Sequence, residues 1–225
     1  VYLVRHGQAG LRHDYDRLSD LGVAQARLLG EWFAREGIEL DSIVSGSLTR
    51  QVETARHAAG DPEVDPLLAE FDLDMVYRSI APVLRERDPE FRRDYEAMAV
   101  SMRDDHAPVH RQWNSCDVKV FRAWQTGALP VDGESWVEFK QRILSALGRI
   151  RQIGSRRHAA IFTSATPIGL LLAEILHAPE DKAMRLAGAC YNSSVTTLRV
   201  HDGDISLISF NSVAHLPDPA QRTFR

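Results

Sequence analysis

The feature that most constrains this chain is its opening, Val1-Tyr2-Leu3-Val4-Arg5-His6-Gly7. Four apolar residues, three of them β-branched or aromatic, read as a buried strand. That strand runs directly into an arginine, a histidine and a glycine. In open α/β sheets, ligands bind outside the carboxyl ends of the strands, and these three residues stand at such an end. Arginine offers a planar charged fork suited to phosphate. Histidine can act as a nucleophile near neutral pH, and glycine lets the backbone approach a ligand closely. Taken alone, the triplet also fits an ordinary surface turn after an edge strand.

Two later stretches repeat the pattern. Asp41 to Ser45 reads as a second short strand, broken by Gly46, with Ser47 as cap of a helix whose face carries Leu48, Val52 and Ala55. Arg50 falls in that helix's first turn, where the helix end is already partly positive. A phosphate bound there would reconcile the two; the alternative is an exposed arginine paired with Glu53. Ala159 to Thr163 reads as a third strand. Ser164-Ala165-Thr166-Pro167 then turns into a helix over 168–177. Parallel, adjacent strands would bring the three turns to one edge around one anion.

The intervening segments complete an α/β pattern. Ser19 reads as the N-cap of a helix with apolar positions 21, 28, 29, 32 and 33, interrupted by polar Gln25 and stopped at Gly37. Between Pro62 and Gly133, prolines 66, 82, 89, 108 and 130 punctuate shorter helical pieces. One of these starts at Asp88-Pro89 and carries Phe91, Tyr95, Met98 and Met102 on one stripe. The stretch is too long for a loop and reads as a helical insertion, residues 72–132, anchored by Trp113, Phe121 and Trp124. Ser135 and Glu138 form a capping box before a helix ending at Gly154. Pro179 begins another short helix, and residues 195–200 and 205–210 form a closing hairpin around Asp202-Gly203. The expected architecture is a three-layer α/β sandwich: a single domain over 1–225 with a mostly parallel sheet, helices on its faces, the helical insertion as a cap, and the C-terminal hairpin.

Composition limits the partners. Twenty-seven basic residues against 31 acidic ones leave a net charge of −4, which speaks against nucleic-acid binding. The longest strongly apolar run, residues 168–173, meets Glu174 too soon to span a bilayer, so no membrane partner is expected. Cys116 and Cys190 have neither zinc nor CxxC spacing, and a reducing, cytoplasmic setting is the default. The chain starts inside a strand without an initiator methionine, which leaves residues before Val1, including a removed targeting segment, open. Oligomeric state is not legible, although the edge of the closing hairpin offers a route to a homodimer.

Leu3-Val4-Arg5-His6-Gly7 resembles the opening motif of the histidine phosphatase superfamily, which includes the phosphoglycerate mutases. Residues 15–19, Gly22 and Gln25-Ala26 resemble the segment that follows it. Residues 45–55 are similar to its second arginine motif, with that arginine at Arg50. Gly133-Glu134-Ser135 resembles the lead into a later helix, residues 163–168 the last catalytic turn, and residues 211–216 a C-terminal segment of bacterial members. Residues 72–132 carry little of the resemblance.

The resemblance implies metal-independent hydrolysis of a small phosphomonoester, with no cofactor, through a phosphohistidine on His6. Arg5 and Arg50 would hold the phosphoryl oxygens. Glu70, best matched by position, would be the general acid, with Asp72 as runner-up. Burial beside Leu67, Leu68 and Phe71 is expected to raise the Glu70 pKa. Gly7, Gln8, Ser164 and Ala165 complete the implied phosphate-binding set. His215, after the last strand, is a further candidate that could fold back over the site, against the alternative of a capping or surface histidine. Arg12, Arg17 and His13 in the first loop are weaker candidates, and His106 and His110 receive no role. One departure stands out: where the family's last turn holds a second histidine, this chain has Ser164. Loss of such a charge-assisted contact costs on the order of two to four kcal/mol of transition-state stabilisation, so slow turnover is expected. The same departure keeps open a phosphate-binding or protein-interaction module that has lost catalysis, and it argues against a mutase.

Overall fold

The computed structural model describes residues 1–10, 15–101, 114–153 and 157–224. Arg12, His13, Met102, His106, Pro108, His110, Trp113 and Gly154 lie outside the described residues. Contacts divide the chain into two compact units, one built from residues 1–10, 15–70 and 142–224, the other from residues 71–141.

The first unit is an α/β fold around a six-stranded, mostly parallel sheet. Its strands are β1 (Tyr2–Arg5), β2 (Ser42–Ser45), β3 (Glu63–Val64), β4 (Ala159–Thr163), β5 (Val195–His201) and β6 (Asp204–Ser212), in the order β3-β2-β4-β1-β5-β6. The central pairings β2–β4 and β4–β1 are parallel, with Ser45 opposite Phe162 and Arg5 opposite Thr163. The three phosphate-friendly turns therefore do lie side by side. Backbone bonds tie them there: Gly46 N–H donates to Phe162 O and His6 N–H to Thr163 O, both at 2.9 Å. All of β1 and β4 is buried, as expected of strands covered on both faces.

Helices α1 (Asp20–Arg35) and α2 (Thr49–Ala58) cover one face of the sheet. Ala26, Leu29 and Phe33 of α1 and Ala55 and Ala58 of α2 pack with Tyr2, Val4, Ala160, Phe162 and Val195. Helices α7 (Ala165–Ile175) and α8 (Glu180–Ala189) complete the first unit, and α7 packs on β1 and β6. The expected C-terminal hairpin is present as β5–β6, turning through Asp202 and Gly203, both at positive φ. Ser19 caps α1 as expected, accepting from Gly22 N–H at 3.0 Å. Both cysteines are buried and free.

Three local expectations are corrected. The N-cap of α2 is Leu48 rather than Ser47, because the Gln51 side chain reaches back to the Leu48 N–H. The buried face of α2 is Arg50, Gln51, Thr54, Ala55 and Ala58; of the expected Leu48, Val52 and Ala55, Ala55 lies on it and the other two are half-buried. Helix α7 starts at Ala165, three residues early, because Pro167 sits in its first turn, where a missing N–H costs nothing.

The second unit is helical: α3 (Leu73–Arg87), α4 (Pro89–Ser101), α5 (Ser115–Gln125) and the start of α6 (Trp136–Arg151). Pro82 lies inside α3 rather than breaking it. Phe71, Phe121, Trp124, Trp136 and Phe139 form its aromatic core, with Phe71 and Trp124 ring centroids 4.7 Å apart. No helix among the described residues is long and apolar enough to cross a membrane.

Candidate active site

His6 follows β1 directly and is buried. Its backbone is held on all sides: N–H to Thr163 O, and the carbonyl by Ser193 N–H at 3.1 Å. The next residue needs to be glycine, since a Cβ on Gly7 would stand 2.6 Å from the Gly22 carbonyl. Gly7 N–H donates to Thr54 Oγ1 at 2.9 Å, which locks the turn to α2.

The imidazole is equally defined. Nδ1 lies 2.7 Å from the Gly7 carbonyl. A carbonyl only accepts, so Nδ1 carries a hydrogen and Nε2 presents its lone pair. That lone pair accepts from Arg50 Nε–H across a long 3.3 Å. Burial, then the charges of Arg50 and Arg5, hold the His6 pKa well below its ordinary value. The ring is neutral at physiological pH and has the tautomer a nucleophile needs.

Arg50 is the second residue of α2 and is buried, not exposed. Its partner is Asp16 rather than Glu53. Asp16 Oδ1 accepts from Arg50 Nη1 at 2.9 Å, and Oδ2 accepts from the Thr49 N–H at 3.0 Å. A carboxylate of the protein itself thus sits at this helix end. Glu53 instead receives the Leu18 N–H at 3.0 Å and pairs with Arg17 at 3.8 Å. Tyr15 lies under the Arg50 guanidinium, 5.2 Å from carbon to ring centroid.

Arg5 is buried, and desolvation lowers its pKa, a sign that an enclosed cation here would gain from a bound anion. Its two terminal nitrogens donate to the carbonyls of Cys190 and Phe224, while Nε has no hydrogen-bond partner. Glu70 stands on a loop pinned by Arg142 Nη1, which donates to Leu67 O at 2.9 Å and Ala69 O at 3.0 Å. Its Oε2 accepts from Thr166 N–H at 3.2 Å, in the first turn of α7. Asp72, the other acid considered, caps α3 through Met75 N–H at 2.9 Å.

Ser164, the N-cap of α7, is almost wholly enclosed, and its Oγ accepts from Gln51 Nε2 at 2.8 Å. Ala165 is the first residue of α7. Gln8 is tied down, its N–H on Gln25 Oε1 and its Oε1 receiving the Ser19 hydroxyl, both at 2.8 Å. Arg17 is exposed beside Glu53. His215 is buried, with Nε2 2.8 Å from Ser193 Oγ, and burial lowers its pKa to about 4. Ser193, whose own φ is +55°, links it to the His6 carbonyl.

The structure thus brings together His6, Arg5, Arg50 and Ser164 at the ends of three neighbouring strands, with Glu70 beside the first turn of α7. It also adds groups given no role from the sequence: Asp16, Gln51, Thr54 and Ser193. Asp16 lies inside a recognised segment, and an acid before a helix start is a weak capping signal. The others are ordinary polar residues whose partners are remote in the chain. No group of three or more His, Cys, Asp or Glu side chains among the described residues is placed to hold a metal ion.

A histidine and two arginines gathered at the carboxyl ends of parallel strands define a phosphate-handling class of α/β protein. The chain belongs to the histidine phosphatase superfamily (branch 1), whose sequence model matches residues 1–104 and 102–213. It is 25% identical over 223 residues to the mitochondrial serine/threonine-protein phosphatase Pgam5 of Caenorhabditis elegans, covering 96% of this chain and 64% of that protein. The chain therefore spans somewhat less than two thirds of this curated relative. Bacillus stearothermophilus YhfR shares the fold with a TM-score of 0.63 at 20% identity, over 96% of this chain and 98% of that one. The mycobacterial glucosyl-3-phosphoglycerate phosphatase bound to inorganic phosphate does so with a TM-score of 0.59 at 22% identity, over 96% and 98%.

Proposed function

We propose that the protein is a phosphomonoester hydrolase that works through a phosphohistidine on His6. The observation that carries this reading is the state of His6: neutral, hydrogen-bonded from Nδ1 to the Gly7 carbonyl, with the Nε2 lone pair beside Arg50. Nε2 attacks phosphorus, the ester P–O bond breaks, and the leaving oxygen takes a proton from Glu70. The Glu70 carboxylate then removes a proton from water as that water attacks phosphorus. The N–P bond breaks, releasing phosphate and restoring His6 and the acid. Arg50 and the unpartnered Arg5 Nε stabilise the equatorial oxygens. Ser164, which the sequence resemblance puts in the place of a second histidine, contributes a neutral donor, so turnover is expected to be slow. The mechanism requires no metal. One similar protein is named a serine/threonine-protein phosphatase and another a glucosyl-3-phosphoglycerate phosphatase, so the substrate is assigned only as a phosphomonoester.

Hydrolysis of an aryl phosphate between pH 5 and 8 with chelator present, wild type beside His6→Ala, tests the reading. Chelator-resistant turnover that disappears in the variant is expected. Equal activity of His6→Ala would sink the mechanism. Absence of turnover in both, with phosphate still bound, would favour a binding module on the same cage.

A further inference from the structure

Gln51 is fully buried in the first turn of α2 and has no role in the chemistry above. Its amide orientation is set by two backbone groups. The Leu48 N–H, a donor, faces Oε1 at 3.2 Å, and the Leu68 carbonyl, an acceptor, faces Nε2 at 3.4 Å. The Ser164 contact at 2.8 Å is therefore made by Nε2, and Ser164 Oγ must accept. A hydroxyl that accepts here is left to donate its own hydrogen elsewhere. That hydrogen has no acceptor among the described residues, although Oγ is almost wholly enclosed. Room for the Gln51 side chain comes from Gly46, whose replacement by any residue with a Cβ would place that atom 2.1 Å from Oε1. Gln51 follows Arg50 in the chain, and Ser164 follows Thr163, whose carbonyl holds the His6 N–H. The free hydroxyl hydrogen thus belongs to the same edge as the nucleophile.

We propose that Gln51 is a positioning residue that turns the Ser164 O–H toward the bound phosphoryl group, so that the Gln51–Ser164 pair acts as one neutral donor unit. The proposal rests on the phosphate-handling reading of this site and names how one donor of that site is aimed. A serine alone would rotate among several acceptors. With one lone pair held by a rigid amide, it is preorganised to donate, which raises its worth to a developing negative charge.

A double-mutant cycle with orthovanadate as probe tests this, reading vanadate dissociation constant, kcat/KM and Tm for wild type, Ser164→Ala, Gln51→Met and the double variant. A donor to a charged group is worth roughly ten- to a hundredfold in affinity, so Ser164→Ala is expected to weaken vanadate by that factor. Gln51→Met should weaken it by a similar or smaller factor, and adding it to Ser164→Ala should cost nothing more. Additive losses would mean that Gln51 acts only through the fold. Undiminished binding by Ser164→Ala would remove the donor unit while leaving the His6 reading intact. Wild type that binds no vanadate would overturn both. If Gln51→Met does not fold, Gln51→Glu keeps the side-chain shape and accepts from Ser164 instead. In that background Ser164→Ala should then be silent, and a full Ser164→Ala loss there would overturn the proposal.

Discussion

Helices α2 and α7 begin at the ends of two neighbouring parallel strands, yet their N-termini are finished in opposite ways. At α2 the protein places a cation, Arg50, on the positive end of the helix and offsets both with the half-exposed carboxylate of Asp16. At α7 the first turn has no charged residue. There the enclosed Ser164–Gln51 hydrogen bond fills the helix entry, and Glu70 accepts the Thr166 N–H. The first end is a charge site, where the buried Arg50 is answered by an acid that is itself half open to solvent. The second is built by packing, around an enclosed pair of neutral side chains. A phosphate ester meeting both would displace a competitor at one and find a preset donor at the other.

The strongest way to break this comparison is Arg50→Ala. Removing the cation while Asp16 stays is expected to lower kcat/KM for an aryl phosphate about a thousandfold. A loss below tenfold would show that charge is not handled at the α2 end. At the α7 end, Glu70→Gln keeps an acceptor for Thr166 but cannot give up a proton as an acid. It is expected to lower kcat about a hundredfold for alkyl phosphates and much less for aryl ones, whose leaving groups need no proton. Equal losses for both would reduce Glu70 to a helix cap.

Acid probes the buried neutral groups. His6 and His215 both have pKa values below that of a free histidine, His215 at about 4. The unfolded chain therefore binds more protons between that value and about 6.5, and stability falls as pH drops through this window. For His215 the loss between pH 7 and 5 is of order one to two kcal/mol. Urea unfolding should show this slope diminished in His215→Gln, and an unchanged slope would place the acid sensitivity elsewhere. The smallest effect is at the Arg50–Asp16 pair. Asp16→Asn is expected to tighten inhibition by inorganic phosphate up to about fivefold. Weakened inhibition would instead show that Asp16 holds Arg50 in its working position.

Much of the candidate site was legible because it lies in short local patterns. Arg5, His6 and Gly7 end one strand, Arg50 enters one helix, and Ser164 ends another strand, so each announces itself within a few residues. The face of α2 was not legible. Its apolar residues suggested Leu48 and Val52 inside, whereas Gln51 and Thr54 are buried because they bond to groups elsewhere in the fold. Gln51 finds Ser164 113 residues away, and Gln25, the polar interruption of α1, is enclosed because it holds Gln8 on one side and the Gln221 carbonyl, 196 residues on, at 2.6 Å. The partner of Arg50 was equally hidden. Glu53 is close along the helix, but Asp16, 34 residues upstream, reaches both the guanidinium and the Thr49 N–H.

By itself the sequence determined the α/β plan, the three phosphate-friendly strand ends and the placing of His6 at one of them, because strand and helix periodicity and turn chemistry act over a few residues. Only the tertiary structure decided which tautomer His6 adopts, which carboxylate answers Arg50 and which donor the Ser164 hydroxyl accepts from. Hydrogen-bond direction and desolvation are set by groups that become neighbours only when the sheet is assembled.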